Sequence, residues 1–169
     1  MIVRLVPLSQ EHARALDRAT EDPDILRNTR VPEPVPPEFG ATWVSRYEEG
    51  RRDGTREGFA LEDEHGTFLG LGVIPRIETE ARTAELGYVV VPEARGRGVA
   101  TEALRLLTEF AFAELGMERL ELLIAVHNQA SKVVAERCGY VREGVLRSAY
   151  FKQGRREDTE IWSRLPSDP

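Results

Sequence analysis

Apolar residues along this chain follow two spacings, and each spacing predicts a different kind of element. Apolar residues three or four positions apart predict helices, whereas short apolar runs between turn residues predict strands. The predicted helices are about Gln10–Thr20, Pro37–Gly50, Val99–Leu115 and Ala130–Cys138. The predicted strands are Ile2–Val6, Gly58–Glu62, Thr67–Ile74, Thr83–Val91, Arg119–Val126, Val141–Lys152 and Glu157–Arg164.

The centre of the chain runs strand, helix, strand. The strand Thr83–Val91 ends in an apolar run typical of a central strand covered on both faces. The following helix is expected to stop at Gly116, and the strand Arg119–Val126 comes next. This order predicts a parallel pair with a right-handed crossover, whereas short turns make the other pairs antiparallel. Pro75 is expected to end the strand before this unit. The pattern therefore predicts an α+β domain with a mostly antiparallel sheet and one central parallel pair.

Composition limits the classes of function. At 169 residues the chain is most simply a single domain, 1–169, with a real core. Its 23 basic and 29 acidic residues give a net charge of −6, which argues against a nucleic-acid partner. The single cysteine, Cys138, excludes an internal disulfide and a cysteine metal cluster, and we expect no metal. No apolar run approaches about 18 residues, so we expect no membrane partner and a cytoplasmic protein.

A basic, glycine-rich turn, Arg95–Ala100, lies between the central strand and its helix. Its glycines let the backbone approach a ligand, and the helix N-terminus adds partial positive charge, so the predicted ligand carries phosphate. Ligands bind at the carboxyl ends of parallel strands, so this ligand should extend towards Val89–Val91 and Asn128. The P-loop pattern is absent, and Thr101 stands where the Rossmann pattern needs a glycine.

The sequence resembles a known family at this point. Arg95-x-x-Gly98-x-Ala100 fits the Q/R-x-x-G-x-G/A pattern of the GNAT acyltransferases. The downstream residues resemble the RimJ/RimL-like branch, which acetylates protein N-termini or small amines. Those residues are Asn128, Ser131, Val134, Cys138, Gly139, Tyr140, Glu143, Gly144, Arg147 and Asp158. The resemblance covers about Ile2–Leu165 and is strongest over Glu85–Asp158.

This resemblance implies a three-layer α/β/α fold with about seven strands and a splayed central parallel pair. It implies acetyl-CoA as cosubstrate and direct attack of a primary amine on the thioester. Backbone N–H groups of the turn would hold the pyrophosphate, and the arm of CoA would pair with the edge of Tyr88–Val91 like an added strand. The residues implied to bind acetyl-CoA are Val89, Val90, Val91, Arg95, Gly96, Arg97, Gly98, Val99, Ala100, Thr101, Asn128 and Ser131.

Acyl transfer to an amine needs a base, an oxyanion donor and a proton for the leaving thiolate. Glu85, a carboxylate in apolar sequence, is the candidate base, directly or through a water, or a binder of the acceptor amine; the alternative is an edge salt bridge. An N–H of Val89–Val91 is the candidate oxyanion donor. Many family members have a tyrosine as acid where this chain has Ala135. RimJ/RimL-like proteins tend to have a serine at the place of Ser131, so the resemblance makes Ser131 the candidate acid or thiolate-stabilising hydroxyl. The alternative for Ser131 is a helix N-cap.

No sequence motif identifies the residues that form the acceptor pocket. Trp43 and Tyr47 share one helix face and are either core or pocket wall. Tyr150 and Phe151 point to opposite faces of a strand, so one is expected in the core and one near the acceptor. Asp158 either fixes the hairpin or binds the ammonium group of the acceptor.

Two chemically reactive side chains, His127 and Cys138, are interpreted as structural residues. His127 is expected at the surface and Cys138 in the core, without a catalytic role for either. The favoured function is acetyl-CoA-dependent N-acetyl transfer. The alternatives are a non-catalytic acyl-CoA-binding module and a scaffold without a nucleotide ligand. The acceptor and the choice between monomer and homodimer stay open.

Overall fold

The structure, a computed structural model, describes residues 2–169. Short 3₁₀ turns lie at Gln10–His12 and Pro92–Ala94. The helices are α1 (Ala13–Ala19), α2 (Pro23–Asn28), α3 (Phe39–Asp53), α4 (Val99–Ala113) and α5 (Gln129–Arg137). The strands are β1 (Arg4–Pro7), β2 (Glu57–Glu62), β3 (Phe68–Glu78), β4 (Thr83–Val90), β5 (Arg119–Ala125), β6 (Val141–Lys152) and β7 (Arg155–Arg164).

The strands form one mixed sheet in the order β1-β2-β3-β4-β5-β7-β6. Every neighbouring pair is antiparallel except β4 and β5, which are parallel and lie at the centre. The connection between them is α4, as the strand, helix, strand pattern requires. The predicted α+β fold with seven strands and a central parallel pair is confirmed.

Helices cover both faces of the sheet. Ala103 of α4 packs against Leu61 of β2 on one face. Val44 of α3 packs against Ala60, the neighbouring residue of β2, on the other face. Successive residues of a strand point to opposite faces, so these two contacts define three layers. Helix α5 lies on the α4 face and α1 lies on the α3 face.

The prediction that Pro75 ends its strand is wrong. Strand β3 continues to Glu78, and its pairing with β4 shifts by one residue between Val73 and Arg76. Two residues of β3 therefore oppose Leu86 alone, which is a β-bulge. Proline has no N–H to lose and is tolerated at such a bulge.

Helix α2 is not predicted by the hydrophobic pattern, because six residues are too few for a helical period to show. Local chemistry nevertheless starts it. The Asp22 carboxylate accepts the N–H of Ile25 at 2.8 Å, and Pro23 occupies the first helical position. The predicted helix Gln10–Thr20 begins one turn later, after a 3₁₀ turn.

Candidate active site

A gap opens between the two central strands. Strands β4 and β5 pair only from Thr83 to Glu85 on one side and from Arg119 to Glu121 on the other. Both strands then continue, β4 to Val90 and β5 to Ala125, without pairing with each other. Strand β4 stays paired with β3, and β5 stays paired with β7. The sheet therefore opens only between β4 and β5. The gap therefore lies at the carboxyl ends of the parallel pair, where ligands bind in open sheets.

The strand register decides which backbone groups of β4 face this gap. The N–H of Val91 donates to the carbonyl of Leu69 at 3.0 Å, so that N–H points towards β3. Direction alternates along an antiparallel strand, so the N–H of Val89 also points towards β3, whereas those of Tyr88 and Val90 point into the gap. Within the predicted run Val89–Val91, Val90 is thus the residue placed to donate to an oxyanion. Tyr88 is a second such donor that was not predicted.

The turn Arg95–Ala100 presents unused donors beside the gap. Gly96 and Gly98 have φ values of 71° and 81°, a left-handed conformation that favours glycine. Gly98 is the N-cap of α4. Among residues 2–169, no hydrogen bond is formed by the N–H groups of Gly98, Val99 and Ala100. With the helix dipole behind them, these groups can hold an anion.

The arginine side chains of the turn bind protein atoms. Arg95 donates to the Asp22 carboxylate at 2.8 Å and to the carbonyl of Val90 at 3.2 Å. This hydrogen bond from Arg95 is the largest influence on Asp22, and it holds the pKa of that carboxyl below its usual value. Arg97 donates to the carbonyl of Glu93 at 3.3 Å. Both side chains therefore brace the turn, and its backbone N–H groups are the donors that could hold an anion directly.

Asn128 and Ser131 lie across the gap, at the start of α5. The side-chain oxygen of Asn128 accepts the N–H of Ser131 at 3.2 Å, so Asn128 is the cap of this helix. The interpretation of Ser131 as the N-cap is wrong for that reason. Thr101 faces α5, since its carbonyl lies 3.4 Å from the sulfur of Cys138.

Glu85 lies at the base of the gap, where β4 and β5 stop pairing. Its carboxylate is 3.6 Å from Arg30 Nη1 and 3.8 Å from Arg76 Nε, and its side chain is 12% exposed. Arg76 makes shorter contacts with Glu78 and Glu121, at 2.5 and 3.0 Å. Glu85 therefore forms ion pairs, as one of its two interpretations required, yet accepts no hydrogen bond from the described residues. Its oxygens remain available to a water or an amine.

The aromatic pair of α3 lies on the Glu85 face of the sheet. Trp43 and Tyr47 have ring centroids 5.3 Å apart, and Val89 packs beside them. Tyr47 is buried, and its burial raises its pKa to about 12. Trp43 is half-buried, and its indole N–H has no partner among the described residues. Tyr47 is thus a core residue, while Trp43 retains an edge for a pocket.

The last hairpin contributes one residue to the acceptor side. Tyr150 donates to the carbonyl of Thr29 at 2.6 Å, which joins the hairpin to the loop after α2. Phe151 points the other way and is exposed, while Tyr150 is only half-buried, so the expectation that one of the two lies in the core is wrong. Asp158 accepts the N–H of Ser148 at 2.8 Å, so it fixes the hairpin.

An open cavity adjoins the Arg30 and Glu85 pair. It has a volume of about 550 Å³ and lies between the loop Arg30–Glu33 and the hairpin residues 149–153. Arg30 lines it and also contacts Glu85, so this side chain connects the cavity with the base of the gap. No sequence motif indicates that Arg30 and Arg76 are the partners of Glu85.

The remaining reactive side chains lie outside the gap. His127 contacts Asn28 at 3.0 Å and Glu157 at 3.1 Å, so it joins β5 to α2 and β7. Cys138 is buried, and burial raises the pKa of its thiol. Within residues 2–169, no group of three or more His, Cys, Asp or Glu side chains could hold a metal ion. None of the described helices is long and apolar enough to cross a membrane.

Comparison with known proteins gives consistent matches. The family model described as the acetyltransferase (GNAT) domain matches residues 3–141. Spermidine N(1)-acetyltransferase of Vibrio cholerae is 29% identical over 68% of this chain and 66% of its own length. Ribosomal-protein-serine acetyltransferase of Escherichia coli is 32% identical over 62% of this chain and 56% of its own length. The chain thus spans about half to two thirds of the length of the curated relatives that it matches.

One solved structure extends the match to nearly the whole chain. It is spermidine N-acetyltransferase from Vibrio cholerae, in complex with CoA and spermine. It superimposes with a TM-score of 0.86 and 25% identity, over 98% of this chain and 96% of the other.

Proposed function

Since this chain belongs to the acetyltransferase (GNAT) family, we propose that it transfers the acetyl group of acetyl-CoA to a primary amine. The family predicted from the Arg95–Ala100 turn and its neighbours is thereby confirmed. The proposed acceptor class includes a protein N-terminal amine and small-molecule amines. We assign residues 1–169 to one acyltransferase domain.

The observation that carries the proposal is the gap between β4 and β5, with unused N–H groups at one end. In the proposed complex, the N–H groups of Gly98, Val99 and Ala100 hold the pyrophosphate, because they lack partners among the described residues. The arm of CoA then lies along β4. The N–H of Val90 donates to the thioester oxygen as negative charge develops on it.

The amine approaches from the opposite face in this proposal. Arg30 connects the cavity with Glu85, whose oxygens accept no hydrogen bond from the described residues. Glu85, directly or through one water, removes a proton from the ammonium group and leaves a nucleophilic amine. Trp43 and Tyr150 flank this route. Ser131, on the far side of the gap, supplies the proton that the CoA thiolate needs.

An acceptor screen tests the proposal. The protein is incubated with acetyl-CoA and a panel of amines: N-terminal peptides, polyamines and amino acids. Thiol release and the mass of each amine are then measured. We expect thiol release that depends on a primary amine, with one acetyl group gained by that amine. Thermal stabilisation by CoA without thiol release for any amine would overturn the proposal in favour of a binding module.

A further inference from the structure

The hydroxyl of Tyr88 is a buried polar group that the proposed reaction does not yet use. Its oxygen is inaccessible to solvent, and no hydrogen bond of regular geometry reaches it from residues 2–169. Buried hydroxyl groups are normally paired, so an unpaired one calls for a functional or structural reason. The backbone of Tyr88 borders the gap, because its N–H points away from β3.

Ser131 is the polar side chain that interacts with this hydroxyl. Burial raises the pKa of Tyr88 to about 12, and a side-chain hydrogen bond with Ser131 acts in the opposite direction. The two hydroxyl groups are thus within interaction range, although they form no hydrogen bond of regular geometry. Tyr88 also stays protonated at neutral pH and can donate. The hydroxyl of Ser131 does not cap α5, since Asn128 is the N-cap of this helix.

The place of the tyrosine found in many family members is filled by Ala135. Ala135 is completely buried in the core cluster against which Tyr88 also packs, and its methyl side chain carries no hydroxyl. Tyr88 reaches the same helix from the strand side. The chain therefore retains a phenol next to Ser131 but supplies it from β4 instead of α5.

We propose that Tyr88 positions Ser131 and donates to its oxygen while Ser131 protonates the leaving CoA thiolate. As the carbon–sulfur bond breaks, the sulfur takes the proton of Ser131 and Ser131 takes that of Tyr88. The acceptor nitrogen loses two protons during acetylation. One returns to Tyr88 through the Ser131 hydroxyl after CoA has left the gap, and the other is released to solvent. This inference rests on the proposed function, and Tyr88 is a positioning residue because it acts through Ser131.

A binding experiment tests the inference without any acceptor. Affinities for CoA and for desulfo-CoA, which lacks the thiol, are compared by calorimetry between pH 7 and about 9.5, a range in which a thiol of pKa about 8.5 ionises. We expect wild-type protein to prefer CoA by several-fold, and increasingly as the thiol ionises. Tyr88→Phe should lose most of this preference while binding desulfo-CoA as wild type does.

Tyr140→Phe is the matched control. Tyr140 is also a tyrosine of this core cluster, and its buried hydroxyl contacts Thr108 at 2.8 Å. Removing that hydroxyl should leave the preference for CoA unchanged. If Tyr88→Phe keeps the wild-type preference over the whole pH range, or if Tyr140→Phe loses it equally, the inference is wrong. The proposed function would survive either result.

Once an acceptor is known, kinetics give a second test. Tyr88→Phe should lower kcat at least about tenfold, since general acid catalysis contributes roughly 10²–10⁴-fold in all. In a Ser131→Ala background the same substitution should have almost no further effect, because Tyr88 acts through Ser131. Multiplicative effects of the two substitutions would indicate independent roles and overturn the inference.

Discussion

The two sides of the gap present different chemical groups: backbone N–H groups on one side and charged side chains on the other. On one side, which we call the donor side, the turn Arg95–Ala100 offers backbone N–H groups, and its arginine side chains brace the turn. On the acceptor side, side chains from separate elements meet: Arg30, Arg76 and Glu85. A backbone site needs only a local conformation, whereas a side-chain site needs the whole fold to bring its members together. A single substitution in the donor turn should therefore abolish most CoA binding. Substitutions on the acceptor side should lower turnover by amounts that differ from residue to residue.

Gly98→Glu should have the largest effect. The new carboxylate stands against the bound phosphates and replaces a residue whose φ of 81° favours glycine. We expect affinity for CoA to fall at least about 100-fold, or about 2.8 kcal/mol. Calorimetric titration measures this loss, and circular dichroism shows whether the variant is folded.

Gly98→Ala separates charge from backbone strain. A Cβ at this position meets no atom within 4 Å, so only the left-handed conformation is penalised, by about 1–2 kcal/mol. Thermal unfolding should shift similarly in both variants, but the alanine variant should retain much of its affinity. A folded Gly98→Glu protein with wild-type affinity for CoA would refute the placement of the pyrophosphate.

Glu85→Gln should be the next largest effect, and it should fall on turnover. The amide keeps the shape of the side chain but cannot take a proton, so we expect kcat to drop roughly 10²-fold or more. Affinity for CoA should stay within about twofold, because Glu85 lies on the acceptor side. Steady-state kinetics with the identified acceptor, repeated across a pH series, measure both.

Glu78→Gln is the control for the charge network. Glu78 shares Arg76 with Glu85 but lies at the surface, with a side chain that is 47% exposed. Its substitution should leave kcat within about twofold. An unchanged pH–rate profile in Glu85→Gln would remove Glu85 from the role of base.

The same contrast explains what the sequence could and could not predict. The donor turn was predictable because glycines, a preceding strand and a following helix are neighbours in the chain. The choice of Val90 over Val89 depends on which N–H groups pair with β3, and a bulge at Pro75 lies within that register. The hydroxyl of Tyr88, as distinct from its backbone, was missed because its burial and its interaction with Ser131 depend on the folded structure.

The ion pair between Asp22 and Arg95 links the two sides, so it tests how separate they are. Asp22 caps α2, the helix before the acceptor loop, and accepts from the donor turn. Asp22→Asn keeps a good helix cap but removes the charge. We expect a loss of about 0.5–1 kcal/mol at pH 7, or roughly 1–4 °C in Tm, and a severalfold loss of CoA affinity at most.

The pH dependence of this loss identifies its cause. Arg95 lowers the pKa of Asp22 below the value of 3.8 expected without it, so the stabilisation is fully present above that value and disappears as the pH falls through the folded-state pKa. The difference in Tm between wild type and Asp22→Asn should therefore be constant near neutrality and shrink below about pH 4. Asp24→Asn is the matched control, since Asp24 lies 3.6 Å from Arg95 but its side chain is 74% exposed. An equal loss of stability in both variants would mean that general surface charge, rather than the link between the two sides, stabilises the turn.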